Sequence, residues 1–311
     1  MKKLPLVIIN SPTATGKTDL AVYLALECGG EIISADSMQV YRYLDIGTAK
    51  PTMEQRRGIR HHLIDVVNPD GEFNAALFAA RARAVIEELV HQGKPVFVVG
   101  GTGLYIRALL KGIIDTPDVD ASIRNHYRSL RETHGKIYLY DLLRQKDSAA
   151  AAQINPNDSV RVIRALEVLE QTGESITVKQ KKHSFSEDRY TTCKIGLRVE
   201  RGELKERIEK RTDAMIRAGL LDEVKGVLAR GYRENLKSLQ SLGYKQIIGF
   251  LNWQYDWRHC VNFIKRDTWQ YARRQMTWFS ADKEINWFAP DALDILRRHV
   301  KIFQNENQET E

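Results

Sequence analysis

The sequence predicts an α/β protein built on a parallel sheet flanked by helices, with an all-helical insertion domain. Three observations carry this. Short continuous apolar runs end in turns bearing glycine or aspartate, amphipathic helices follow them, and one long middle stretch holds no strand of that kind. LPLVIIN (4–10) reads as a buried strand, and a helix starts after Gly16 with Leu20 and Leu24 at helical spacing. EIISAD (31–36) is the second strand. An Ala-rich helix over 74–92 closes at Gly93, and PVFVVGG (95–101) is the third strand. CKIGLRVE (193–200) gives a later strand and INWFA (285–289) a further one. Strands alternating with helices call for right-handed crossovers.

Residues 116–190 break this rhythm. Helices are expected over 120–134, 137–146 and 158–172, the last capped by Asn157 or Asp158, and TVKQKKHSFSED (177–188) reads as a polar, basic loop. The expected organisation is a core of 1–115 and 191–311 interrupted by a helical insertion of 116–190.

A chain of 311 residues with 43% hydrophobic and 28% charged residues has enough apolar surface for a full core. No run approaches the ~18 apolar residues of a membrane span, and the N-terminal apolar run leads straight into a glycine loop, as a strand does. Cys28, Cys193 and Cys260 lie far apart without C-x-x-C spacing. That argues against a disulfide framework or a zinc site and places the protein in a reducing cytoplasm. The net charge is +7, unevenly spread: residues 200–280 carry 16 Lys/Arg against 10 Asp/Glu, and the residues after 280 carry 4 against 7. A basic stretch before an acidic tail is compatible with a polyanionic partner.

SPTATGKT (11–18) follows the first strand and nearly matches the phosphate-binding pattern G-x-x-x-x-G-K-[ST], with Ser11 in place of the first glycine. Such a loop presents backbone N–H groups to phosphate oxygens. Lys17 adds a charge, and Thr18 offers a hydroxyl to Mg²⁺. Ser11, beside Pro12, is compatible with the loop if its φ is negative. Asp36 ends the second strand at the carboxyl edge, where open α/β sheets bind ligands. It is either a functional carboxylate or a turn cap. In VVGGTGLYIRALLKG (98–112), Thr102 ends the third strand at the same edge, as a functional hydroxyl or a plain cap.

Arg161 and Arg164 share a helix face in the first turns of 158–172, where cations oppose the helix dipole. Leu204, Ile208, Met215, Leu220, Val224 and Leu228 form a core stripe, and spacing alone puts Arg211 on the surface. RDTWQYARRQMTWF (266–279) mixes arginines with Trp269, Tyr271, Trp278 and Phe279. That composition suits single-stranded nucleic acid, or a core helix in which Trp278 and Phe279 are buried. His61 and His62 lack a second ligand cluster and read as loop packing.

In order along nearly the whole chain, PTATGKT, ISADSMQVYR, DIGTAKP, HHLIDV, VGGTGLYIRALL, INPNDSVRVIRALEV, GL-DEV, LGYKQ and RRQMTWF resemble the tRNA dimethylallyltransferases, also called tRNA isopentenyltransferases. Ser11 and Arg273 depart from the usual glycine and lysine. The resemblance implies a P-loop kinase-like fold whose helical insertion grips the tRNA anticodon stem-loop. The implied reaction moves the dimethylallyl group of dimethylallyl diphosphate to N6 of the adenosine at tRNA position 37, releasing pyrophosphate. It implies Asp36 as general base, with Lys17, Thr102 and Arg211 also catalytic, and Ser11, Pro12, Thr13, Ala14, Thr15, Gly16, Lys17 and Thr18 as the diphosphate loop, Thr18 taking Mg²⁺. The implied tRNA contacts are Asp36, Ser37, Met38, Gln39, Thr102, Arg124, Val160, Arg161, Val162, Ile163, Arg164, Gln240, Ser241, Leu242, Gly243, Tyr244 and Lys245. A monomer with no membrane contact is expected, of the bacterial type, since no C-terminal zinc finger or targeting segment is present. An AMP-specific isopentenyltransferase, a small-molecule kinase and a catalytically inactive RNA-binding protein are the alternatives.

Overall fold

The structure, a computed structural model, describes residues 3–114, 120–183 and 189–308. In chain order, β1 (Leu4–Asn10), α1 (Lys17–Cys28), β2 (Glu31–Ser34), α2 (Met53–Arg56), β3 (His61–His62), α3 (Ala75–His91), β4 (Val96–Gly100) and α4 (Gly103–Lys111) come first. Four helices follow: α5 (Ala121–Lys146), α6 (Ser148–Ala151), α7 (Ser159–Thr172) and α8 (Ile176–His183). The chain closes with β5 (Tyr190–Leu197), α9 (Arg201–Arg217), α10 (Leu220–Ala229), α11 (Tyr244–Leu251), α12 (Trp257–Ser280), β6 (Asn286–Phe288) and α13 (Leu293–Gln308). Two compact units result: Met1–Leu110 with Asp188–Glu311, and Lys111–Glu187.

The first unit holds a six-stranded sheet of order β3-β2-β4-β1-β5-β6, parallel at every pairing. Its central strand shows why the apolar run is continuous. Leu6 and Ile8 pack on one face with Phe78 and Leu109; Val7 and Ile9 pack on the other with Leu20, Leu24 and Leu296. Side chains alternate along a strand, so two covered faces demand apolar residues at every position. Each such burial contributes about 1.5–3 kcal/mol.

β1 pairs with β4 from Val7↔Phe97 to Asn10↔Gly100, and β2 joins β4 through Ser34↔Val99. Gly100 allows this approach, because a Cβ there would lie 2.1 Å from the carbonyl oxygen of Ala35. The carboxyl ends of β1, β2 and β4 therefore open onto one edge. At that edge Ser11 is fully buried, and its Oγ accepts the Leu197 N–H at 2.8 Å, tying the exit of β1 to the end of β5. Its φ lies outside the left-handed region, so the backbone here does not require glycine.

The second unit is helical, with Tyr127, Leu139, Leu143, Val162 and Leu166 in its core. Asp158 caps α7 by accepting from the Arg161 N–H. Glu167 is fully buried in this unit and is met by Arg124 through two bonds of 2.6 and 2.9 Å, and by Arg164 at 3.3 Å. A buried carboxylate needs such partners to stay ionised.

Four local expectations change. His61–His62 is a short strand beside Ile32 and Ile33, not a loop, and two residues are too few to show a period. His62 Nε2 bonds Glu31 at 2.7 Å, and Lys94 bonds the same carboxylate at 2.5 Å. β2 stops at Ser34 because the chain turns at Asp36. The two helices expected over 120–134 and 137–146 are present within α5, separated at Gly135, whose φ of 85° is not helical. α8 occupies much of the expected loop 177–188; the rest of that stretch, 184–188, lies outside the described residues. Phe279 is buried, but Trp278 is 38% exposed and lies under Arg107, 5.5 Å from guanidinium to ring centroid.

Ser11→Ala is expected to lower the unfolding free energy by about 1–3 kcal/mol, because the Leu197 N–H is left buried without its acceptor. Chemical denaturation measures this. An unchanged midpoint would show that the Ser11 hydroxyl is not the clip between β1 and β5.

Candidate functional site

Between β1 and α1 the backbone turns through left-handed conformations at Ala14 (φ 64°) and Gly16 (φ 90°). Alternation of this kind curls successive N–H groups into an anion-binding nest, and the N-terminus of α1 adds its dipole. Thr15 is buried and its hydroxyl donates to the Pro12 carbonyl at 2.9 Å, holding the loop from inside. Thr13 N–H donates to Gln275 Oε1 at 2.9 Å, holding it from α12. Lys17 Nζ lies 3.4 Å from the Pro12 carbonyl. Burial, with the Arg211 guanidinium second, pulls the Lys17 pKa down to about 8, and Asp36 opposes that shift.

A cavity of ≈ 360 Å³ opens on this edge, bordered by Lys17, Thr18, Asp36, Arg211, Tyr271 and Gln275. The size is within the usual range for a small ligand. Arg211 faces it from α9, on the side that carries Ile208, Thr212 and Met215. Spacing placed this arginine on the surface. The structure turns it inward, where burial lowers its pKa and Asp36 raises it.

Asp36 Oδ1 accepts from the N–H groups of Met38 (2.8 Å) and Gln39 (3.3 Å). The cap reading and the functional reading therefore share one residue: one oxygen fixes the turn, and Oδ2 takes no hydrogen bond among the described residues. Thr102 follows β4 at the same edge, behind Ser37, which lines the cavity. Its Oγ1 accepts the Ser37 N–H at 3.0 Å and lies 3.4 Å from Ser37 Oγ, so it holds the turn after Asp36 from behind. Tyr271, also on the cavity wall, has a hydroxyl within bonding reach of Thr102 and Gln275. Burial first and the Asp36 charge second push its pKa up, keeping it a neutral donor.

The far rim is built from Gly47, Thr48 and Ala49 and from Gln240 to Gly243 with Lys245. One carboxylate positions both stretches. Glu223, in the first turn of α10, accepts N–H groups of Asp45 (3.0 Å), Ile46 (2.6 Å) and Gly47 (3.1 Å) and the Tyr244 hydroxyl (2.6 Å). Gln39 Nε2 adds bonds to the Thr48 and Ala49 carbonyls.

The remaining expected positions divide by burial. Ser11 is buried and its hydroxyl is engaged by Leu197, so its side chain serves the loop's anchorage to β5. Pro12 is buried behind the loop, and Thr13, Lys17 and Thr18 border the cavity. Ser37, Met38 and Gln39 also border it, as do Ser241 and Leu242. Tyr244 is fully buried by its bond to Glu223, so its side chain cannot meet RNA. In the helical unit, Val162 and Ile163 belong to the core; Val160 and Arg161 are exposed, and Arg124 and Arg164 serve Glu167. Gln275 and Glu223 were not foreseen. Gln275 left a signal: it is a polar residue on the stripe formed by Ile264, Ala272 and Phe279, and a polar group on a core face calls for a partner. Glu223 lies in the GL-DEV string of the resemblance, but its role could not be read there, since its partners, three backbone N–H groups and the Tyr244 hydroxyl, are distant in sequence.

The family model for IPP transferase matches residues 39–282. A relative named tRNA dimethylallyltransferase 2, from Syntrophus aciditrophicus, is 53% identical over 277 residues, covering 89% of each chain. The full-length tRNA isopentenylpyrophosphate transferase of Bacillus halodurans superposes with a TM-score of 0.74 at 37% identity, covering 99% of both chains. A eukaryotic dimethylallyltransferase solved acting on tRNA gives a TM-score of 0.78 at 27% identity over 93% of this chain and 75% of its own. The chain belongs to the IPP transferase family.

Proposed function

We propose that this protein is a tRNA dimethylallyltransferase that moves the dimethylallyl group of dimethylallyl diphosphate to N6 of the adenosine at tRNA position 37, next to the anticodon. The observation that carries this is one cavity bordered both by the cations Lys17 and Arg211 and by the carboxylate of Asp36. The cations suit a diphosphate leaving group, and the carboxylate suits removal of a proton from the accepting amine.

The donor's diphosphate sits on the nest of residues 13–18. The allylic C–O bond breaks as Lys17 and Arg211 stabilise the pyrophosphate leaving group, each well-aimed contact contributing roughly 2–4 kcal/mol in the transition state. The N6–C bond forms, and the N6 proton passes to Asp36 Oδ2. Thr102, through Ser37, keeps the Asp36 turn in register. The adenine leaves its stack to enter the cavity. Mg²⁺ fits the loop, where Thr18 on the cavity wall would supply a hydroxyl. Such a site is completed by substrate phosphate oxygens and water. When bound, the ion neutralises charge on the leaving diphosphate.

For the acceptor, Ser37, Met38, Gln39, Gln240, Ser241, Leu242, Gly243 and Lys245 rim the cavity. The helical unit, as the insertion domain, offers Val160 and Arg161, with Arg124 and Arg164 as shared contacts. The protein works in the cytoplasm as a monomer. No helix among the described residues is long and apolar enough to cross a membrane.

Two outcomes test this. With dimethylallyl diphosphate, Mg²⁺ and unmodified tRNA, Asp36→Asn is expected to lower turnover by about 10²- to 10⁴-fold. Asparagine keeps the oxygen that caps Met38 and Gln39, so pyrophosphate affinity stays near the wild-type value. Near-normal turnover would remove Asp36 as the base. The second outcome concerns Lys17. In the empty site it loses its proton near pH 8, and a bound diphosphate favours the charged form and raises that pKa. Binding above pH 8 therefore takes up a proton, and affinity falls as pH rises further. Calorimetry of pyrophosphate binding at pH 9, in two buffers of different ionisation enthalpy, measures the uptake. Lys17→Met should abolish it, and equal heats in both buffers for the wild-type protein would contradict the assignment.

A further inference from the structure

Gln275 has no role in the chemistry described above, yet it is the polar side chain at the centre of the site. It is 6% exposed, borders the cavity and sits on the buried stripe of α12. Its amide makes two bonds of opposite sense. Oε1 accepts the Thr13 N–H at 2.9 Å, and Nε2 donates to the Gly101 carbonyl at 2.9 Å. Thr13 belongs to the donor loop, and Gly101 directly precedes Thr102, which holds the Asp36 turn. Gly101 also makes room for the amide: a Cβ at that position would lie 2.2 Å from Nε2, and no unusual φ accounts for the glycine.

We propose that Gln275 is a positioning residue that sets the diphosphate loop and the Asp36–Thr102 turn in register with each other, so that donor and base are placed by one amide. A carboxamide suits this task because one end must accept and the other donate. A carboxylate could hold Thr13 but would face the Gly101 carbonyl with a second acceptor. Without the clamp, the Thr13 N–H and the Gly101 carbonyl are left unpaired, and each loop settles on its own. A misplacement of about an ångström between reacting groups is enough to lower turnover about 100-fold.

The test is a double-mutant cycle with Gln275→Ala and Gly101→Ala, read in pyrophosphate affinity, in kcat and KM for prenyl transfer, and in Tm. Each single change is expected to weaken pyrophosphate binding and lower kcat by about 10- to 100-fold, with KM for tRNA nearly unchanged. The double variant should be no more than about threefold worse than the poorer single one, because the added methyl at 101 acts only by displacing the amide. Losses that multiply, or a fall in Tm with kcat and pyrophosphate affinity intact, would overturn the proposal. Should the alanine variants fold poorly, Gln275→Glu keeps the side-chain size and the bond to Thr13. Its activity relative to wild type should rise as pH falls and the carboxyl becomes a donor, and a flat ratio would count against the clamp. The proposal rests on the prenyl-transfer reading. A wild-type protein that binds pyrophosphate but transfers nothing counts against that reading alone, whereas multiplied losses in pyrophosphate affinity count against the clamp alone.

Discussion

Parallel pairing of β2, β4 and β1 is the constraint on which the site depends. Parallel strands all finish at the same edge, so the turn after each meets the turns after its neighbours. Here those turns bring a nest for anions, a carboxylate at Asp36 and the glycine-rich loop before α4. Gly100 shows how tight the arrangement is, since no side chain fits between β4 and the Ala35 carbonyl. The helices then complete what the strands begin. α9 brings Arg211, and α12 brings Tyr271 and Gln275.

Electrostatics at the edge follow from this crowding. Lys17, Arg211 and Asp36 share one small cavity. Lys17 is held near its titration point by burial and by Arg211, and Asp36 offsets part of that. An anionic ligand with two phosphate groups relieves the repulsion between the cations, so the empty site is prepared for the charge it takes. Glu223 serves the far rim in the same manner with the sign reversed, a carboxylate filling a nest of backbone N–H groups.

The strands were legible because burial on both faces forces continuous apolar runs, and the loop at 11–18 was legible because phosphate cradles need Gly-Lys-Thr at a helix start. The limits have physical causes. β3 pairs through two residues and has no period to read. Ser11 looked like a damaged glycine, but a side chain pointing inward to Leu197 cannot be told from one facing a ligand by composition alone. The glycines of the GGTG stretch make room for Ala35, Gln275 and Trp278, which are distant in sequence, so the reason for them could not be read from the stretch itself. Arg211 was legible as catalytic only through the resemblance, because a cavity wall and a solvent face show the same helix spacing. Val162 and Ile163 came into the RNA-contact set with the motif around them, and the structure assigns them to the helical core.

The central claim is that this edge transfers a prenyl group to the base of a folded RNA. The most direct measurement offers dimethylallyl diphosphate and Mg²⁺ to unmodified tRNA and to free AMP in separate reactions, and locates the adduct by nucleoside mass spectrometry. The account predicts N6-dimethylallyl adenosine at position 37 of tRNA and no adduct on AMP. Adduct on AMP alone, or on neither acceptor while pyrophosphate still binds, would contradict it.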